Sequence, residues 1–261
     1  RIYIMSRVWA FGCSHTLGTE LGVSKYVDPD KWMLENAGTT NIWEVPDKHL
    51  GRVRNDWADL LDELYKTTDL LQEEKHLSYA GKVAESLGYE LCNHAIRGSG
   101  ADRALHELSV VREKHIDWDN DIVFVGYTHI YRFMFDEERW DGNRNLNWMK
   151  THKQKHLQQL HKMMLLDGPC DYFWSAANAG IYHMIKTMYP KVHMIDVVNT
   201  TNTYKPGVAL KDLRFNTTTL DDYSKRTNNK KDIYPQGHFK EYTHELLATH
   251  LINKLGINSD E

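Results

Sequence analysis

The run Asp121-Ile122-Val123-Phe124-Val125-Gly126-Tyr127-Thr128 constrains the fold more than any other stretch of the chain. Its β-branched and aromatic side chains are contiguous rather than alternating, so a strand here must be covered on both faces, as inside a parallel sheet. Three further runs fit the same sheet: Val8 to Phe11, Tyr89 to Ala95 and Lys191 to Val198. Helical patterns lie between and after them. One opens at Asn55-Asp56-Trp57 and aligns Trp57, Leu60, Leu61 and Leu64, and others cover Ser78 to Leu87, Ala101 to about His115, Asn147 to Leu166, Tyr172 to Met188 and Gly237 to Leu255. Strands alternating with helices predict a three-layer α/β/α fold with a mainly parallel central sheet. No repeat or low-complexity linker divides the chain, so residues 1–261 are expected to form one domain with long loop insertions near 19–54, 131–147 and 199–236. The first of these contains Trp32 and Trp43 and is expected to be an ordered excursion that roofs a site.

Composition narrows the function classes. With 41% hydrophobic and 26% charged residues and a net charge of -4, the 261-residue chain has no global electrostatic footprint for nucleic acid or an anionic membrane. No apolar run reaches the ~18 residues of a membrane span, and the N-terminus lacks the layout of a signal peptide. Cys13, Cys92 and Cys170 are odd in number and widely spaced, which predicts structural thiols in a reducing compartment. His152 and His156 are four apart on an expected helix with His161 nearby, but the segment is rich in lysine and reads as a solvated face, so no metal is expected. Gly98-Ser99-Gly100 lacks the third glycine and the later acid of a dinucleotide fingerprint, so no such cofactor is expected either.

Ligands of parallel sheets bind at the carboxyl ends of the strands. Three of the four strand ends here carry a glycine with small polar neighbours, at Ser14, Gly98 and Thr128, and these turns are expected to converge on one rim. In Val8-Trp9-Ala10-Phe11-Gly12-Cys13-Ser14-His15-Thr16 the serine follows a strand and opens a helix, where unpaired N–H groups and the helix dipole can stabilise an oxyanion. Serine is also a common helix cap, and both readings fit this turn.

Four blocks then stand in order along the chain: Gly12-Cys13-Ser14, Gly98 after the second strand, Gly126-Tyr127-Thr128-His129, and Gly237-His238-Phe239 before the last helix. Together they resemble the SGNH (GDSL-type) hydrolases, an α/β/α esterase family with a flavodoxin-like sheet, and their wording resembles divergent members encoded by tailed bacteriophages. The resemblance implies Ser14 as nucleophile and His238 as base, with the Ser14 and Gly98 N–H groups and Thr128 forming the oxyanion hole. It implies an ester substrate, such as an O-acetyl group on a carbohydrate, bound by rim residues for which His15, Arg97, Ser99, His129 and Arg132 are the candidates. Three positions depart from the pattern, the first being Cys13, where the family has aspartate. Thr128 stands where the family has asparagine, and Pro235 stands where it has the acid three residues before the histidine. Asp232, Gln236 or a backbone carbonyl is left to orient the His238 ring, with Asp232 as the candidate acid. An acyltransferase with the same serine, or a catalytically impaired binding or virion structural protein, fits the same blocks, and the expected location is the host cytoplasm or the virion.

Overall fold

The computed structural model describes residues 5–127, 132–135, 138–141, 170–195 and 233–256. Its strands are β1 (Arg7–Phe11), β2 (Glu90–Asn93), β3 (Ile122–Gly126), β4 (Arg132–Phe135), β5 (Glu138–Asp141) and β6 (His193–Ile195). Four of them form a parallel sheet in the order β2-β1-β3-β6, with Trp9 of β1 in register between Cys92 and Val123. All four strands anticipated from the sequence belong to it.

The contiguous apolar runs are explained by what covers each face. Val8, Ala10 and Phe124 point into one layer, made by α5 (Tyr79–Leu87) and α8 (Glu241–Leu255), where they meet Val83, Leu247 and Leu251. Trp9, Phe11 and Val125 point into the other, where α6 (Ala101–His106) and α7 (Cys170–Met188) contribute Ala104, Tyr182 and Ile185. The period of two along each strand therefore feeds two separate cores, and the three-layer arrangement follows. Because β2 lies on one side of β1 and β3 on the other, the chain reverses direction of travel at β1, which opens a crevice at the carboxyl ends of these strands.

Between β1 and β2 the helices are α1 (Ser14–Leu17), α2 (Pro29–Ala37), α3 (Asp47–Thr67) and α4 (Leu70–Leu77), followed by α5. The region expected as a loop near 19–54 is ordered but largely helical. Asp28 caps α2 by accepting from the N–H groups of Asp30 and Lys31, and α3 begins at Asp47, ahead of the expected start at Asn55. Its first turns escaped the pattern because Gly51 and a run of charges dilute the apolar stripe, which becomes clear only at Val53, Trp57 and Leu61. These side chains join Leu21, Val23, Leu70 and Tyr234 in satellite cores outside the sheet.

Two other expectations are corrected. The segment near 131–147 contains an antiparallel pair, with Arg132 opposite Asp141 and Phe135 opposite Glu138, rather than loop alone. The helix expected from Ala101 to His115 is α-helical only to His106 and continues as a wide π-type turn, Glu107–Arg112, and a 3-10 turn, Glu113–His115. The helix expected over Asn147 to Leu166 lies outside the described residues, as does the loop near 199–236 up to residue 232. No described helix is long and apolar enough to cross a membrane.

Candidate active site

At the end of β1 the chain turns sharply around Thr16. Its side chain fills the space that a Cβ would occupy at both Gly12 and Gly126, with Oγ1 only 2.4 and 2.0 Å from those positions. Glycine at both strand ends lets β1 and β3 close around this threonine. The helix that follows, α1, is a single turn, so the dipole anticipated at Ser14 is that of one turn only.

The turn after β2 is tied to the same point. The Gly12 carbonyl accepts from Ile96 N–H at 2.9 Å and from the Ser99 hydroxyl at 2.7 Å. Asn93 Nδ2 donates to the Thr16 carbonyl at 3.3 Å while its Oδ1 accepts from Ala95 N–H at 3.1 Å. The turn that carries Gly98 is thereby tied to Gly12, two residues before Ser14.

The third part comes from the far end of the chain. Tyr234 to Gly237 form a tight turn closed by Gly237 N–H to the Tyr234 carbonyl at 2.8 Å, and Tyr234 N–H returns to the His238 carbonyl at 2.8 Å. Pro235 occupies a corner of this turn, and Gly237 adopts φ 92, open to glycine at little steric cost. The turn aims the His238 ring at β1. Its Nε2 lies 2.9 Å from Ser14 Oγ, joining residues 224 positions apart.

The other ring nitrogen, Nδ1, lies 2.5 Å from Oε2 of Glu20. An imidazole nitrogen offers one hydrogen or one lone pair, so this contact occupies Nδ1. Asp232, the acid candidate read from the sequence, lies outside the described residues, whereas the Gln236 side chain is turned away from the ring. Its side-chain amide donates to the Arg54 carbonyl at 2.6 Å, and its backbone N–H goes to Glu20 Oε1 at 3.2 Å.

Glu20 is fully buried, and its carboxylate is met from three sides by His238, Gln236 N–H and the indole N–H of Trp57, the last at 2.5 Å. Such donors are what a buried carboxylate requires. Glu20 is also the one non-glycine residue with positive φ among the described residues, at 76°. A left-handed backbone at such a residue costs on the order of 1–3 kcal/mol and persists where the surroundings hold it. Its own N–H donates to Oε1 of Glu74 at 2.7 Å. Sequence reasoning missed Glu20 because it searched for the acid just upstream of the histidine. The available signal was a lone carboxylate inside Leu17-Gly18-Thr19-Glu20-Leu21-Gly22-Val23, an otherwise uncharged and mostly apolar stretch.

The remaining candidates divide. His15 is buried beside the centre, its ring edge-on to His238 with centroids 4.8 Å apart. Ser99 is buried and spends its hydroxyl on Gly12. Arg97 is turned to Glu74 Oε2 at 2.8 Å and lies over the Tyr65 ring at 3.6 Å, so it serves the framework behind the site. Thr128 and His129 lie outside the described residues, and Arg132 is placed only as the first residue of β4. His244, read as structural, accepts Tyr79 N–H at Nδ1 and is fully buried; burial pushes its pKa down to about 3. Among the described residues no group of three or more His, Cys, Asp or Glu could hold a metal ion; His152, His156 and His161 lie outside them.

No protein-family model matches the sequence, and no curated protein matches it. Among solved structures, the chain is similar to a carbohydrate esterase whose active site displays divergent catalytic and non-catalytic binding functions. Identity there is 14% and the TM-score 0.46, over 98% of this chain and 66% of that one. It is also similar to a protein assigned as a GDSL-like lipase from Parabacteroides merdae, at 10% identity and a TM-score of 0.45 over 97% of each chain. A third is an acetyl xylan esterase from the rumen bacterium Butyrivibrio proteoclasticus, at 13% identity and a TM-score of 0.42, over 98% of this chain and 65% of that one. The chain spans about two thirds of the length of the first and third of these structures.

Proposed function

We propose that this chain is a serine-dependent ester hydrolase in which Ser14 is the nucleophile, His238 the general base and Glu20 the acid that orients the base. The observation that carries this reading is the unbroken line from Ser14 Oγ to His238 Nε2 and from His238 Nδ1 to Glu20 Oε2. A serine hydroxyl is a weak nucleophile at neutral pH and needs a base within hydrogen-bond reach, and that base needs its other nitrogen fixed. With Glu20 ionised, Nδ1 carries the proton and Nε2 presents its lone pair to the Ser14 hydroxyl.

In the acylation step Ser14 Oγ bonds to the ester carbonyl carbon as its proton passes to His238 Nε2. The carbonyl oxygen becomes an oxyanion, received by the Ser14 and Gly98 N–H groups and by Thr128. The ester C–O bond then breaks, and His238 returns the proton to the departing alcohol. Water then bonds to the acyl carbon as its proton passes to the same nitrogen, the bond from the acyl carbon to Ser14 Oγ breaks to release the acid, and His238 returns the proton to Oγ. The block resemblance to SGNH hydrolases supports a small ester or an acylated carbohydrate as substrate, with the O-acetyl group of a sugar the simplest case.

Hydrolysis of a short-chain nitrophenyl ester by the purified protein and by Ser14→Ala tests this reading. Turnover by the wild type that falls to background in the variant is expected. Equal rates would remove the hydrolase and leave a binding protein on the same scaffold.

A further inference from the structure

Behind the proposed acid lies a second buried carboxylate that the chemistry above does not use. Glu74, in α4, is fully buried, and both of its oxygens are engaged. Oε1 accepts from Glu20 N–H at 2.7 Å and from the Tyr65 hydroxyl at 2.5 Å, and Oε2 accepts from Arg97 at 2.8 Å. A carboxylate with no exposure is costly to keep and is usually replaceable by an apolar residue of similar size, so its retention calls for a local reason. The partner of Oε1 supplies one, since the N–H it binds belongs to the residue with the unfavourable positive φ.

We infer that Glu74 is a positioning residue for the site: by binding the Glu20 N–H it holds the Glu20 backbone in its left-handed conformation and so aims the carboxylate at His238 Nδ1. This inference rests on the reading of Glu20 as the orienting acid. The geometry leaves little slack. In the usual extended or right-handed conformations the direction of the Glu20 Cα–Cβ bond changes, and with it the line along which the carboxylate approaches Trp57 and His238.

Arg97 and Tyr65 secure Glu74 in turn. The Arg97 guanidinium bonds one oxygen, the Tyr65 hydroxyl the other, and the guanidinium lies on the Tyr65 ring. Burial pushes the Glu74 pKa up and Arg97 opposes the shift, so the ion pair favours the acceptor form that the Glu20 N–H requires. The close approach of α1 to this support is built in: a Cβ at Gly18 would stand 2.4 Å from the Glu74 carbonyl oxygen.

The test pairs ester turnover with the far-downfield proton resonance of the His238 Nδ1–H···Glu20 hydrogen bond, which reports geometry whether or not the protein turns over ester. In Glu74→Gln the charged Arg97 guanidinium claims the single amide oxygen, which turns the amide NH2 against the Glu20 N–H and unseats it. It is expected to shift or abolish the resonance and to lower kcat by about 10- to 100-fold with KM little changed. Tyr65→Phe removes another buried bond to Glu74 but leaves the Glu20 N–H contact, and is expected to keep the resonance and most of kcat. If Glu74→Gln does not fold, Glu74→Met/Arg97→Met, which leaves no unpaired charge and offers the Glu20 N–H no acceptor, carries the same readouts. Four results would overturn the inference: no such resonance in the wild type; Glu74→Gln, or the double variant in its place, retaining both resonance and kcat; that variant losing kcat with the resonance unmoved; or Tyr65→Phe matching its losses. A wild type without turnover whose resonance still responds to Glu74→Gln would refute the hydrolase reading alone.

Discussion

The indole N–H of Trp57 donates to Oε1 of Glu20 at 2.5 Å, while the other oxygen of that carboxylate meets the His238 ring. Trp57 is fully buried in α3, so no water can replace its N–H if it is lost. Trp57→Phe keeps most of the ring packing and deletes the donor. Urea denaturation is expected to show a loss of about 1–3 kcal/mol, the usual penalty for a buried polar group left unpaired. Ester turnover is expected to fall as well, because the carboxylate is free to rotate away from Nδ1.

Glu20 and Asp232 make opposite predictions as the orienting acid. Glu20→Gln retains shape but can turn its amide hydrogens toward Nδ1 and impose the wrong tautomer, so kcat is expected to fall by about 10²- to 10⁴-fold. Asp232→Asn is expected to leave kcat within about twofold, because Nδ1 of His238 is already taken by Glu20. Steady-state kinetics on the two variants decides between them, and a large loss in Asp232→Asn alone would return the acid to the position read from the sequence.

The closeness of Gly126 to Thr16 predicts a rescue. A methyl group at Gly126 would sit 2.0 Å from Thr16 Oγ1 and 3.3 Å from its Cβ, in a fully enclosed space. Gly126→Ala is expected to destabilise the protein by about 1–3 kcal/mol through overpacking. Gly126→Ala/Thr16→Ala should recover most of that loss by removing the hydroxyl, a coupling readable from a double-mutant cycle of denaturation midpoints.

His244 predicts how stability depends on pH. Burial, with the neighbouring His238 acting in the same sense, pushes its pKa down from the ordinary 6.5 to about 3. Between those values the unfolded chain takes up a proton that the native state refuses. The stabilisation is therefore complete above about pH 6.5 and is lost as the pH falls toward 3, with a slope approaching about 1.4 kcal/mol per pH unit. His94, stacked near Trp9 and Phe11 and lowered to about 4 chiefly by burial, acts with the same sign. His244→Asn, which keeps an acceptor for Tyr79, is expected to flatten the dependence between pH 7 and 5, and an unchanged slope would contradict this account.

The sheet was legible because burial on both faces writes itself into contiguous apolar runs, and Val8 to Phe11 and Ile122 to Val125 are such runs. The pairing of Ser14 with His238 was anticipated through the resemblance of the Gly12-Cys13-Ser14 and Gly237-His238-Phe239 blocks to those of a known family, and not from periodicity or spacing. Glu20 could not be placed that way. Its role depends on a positive φ and on partners at Trp57, Glu74 and Gln236, none within 30 residues along the chain, and no local pattern encodes contacts of that range. Arg97 was misleading for a related reason: an arginine after a strand end looks the same in sequence whether it faces a substrate or a buried carboxylate.

Labelling with a fluorophosphonate probe, which modifies only an activated serine, tests the central claim most directly. Peptide mass analysis is expected to find the adduct on Ser14 in the wild type, no adduct in Ser14→Ala, and greatly slowed labelling in His238→Ala. A wild type that stays unlabelled, or that is labelled equally fast without His238, would contradict the account.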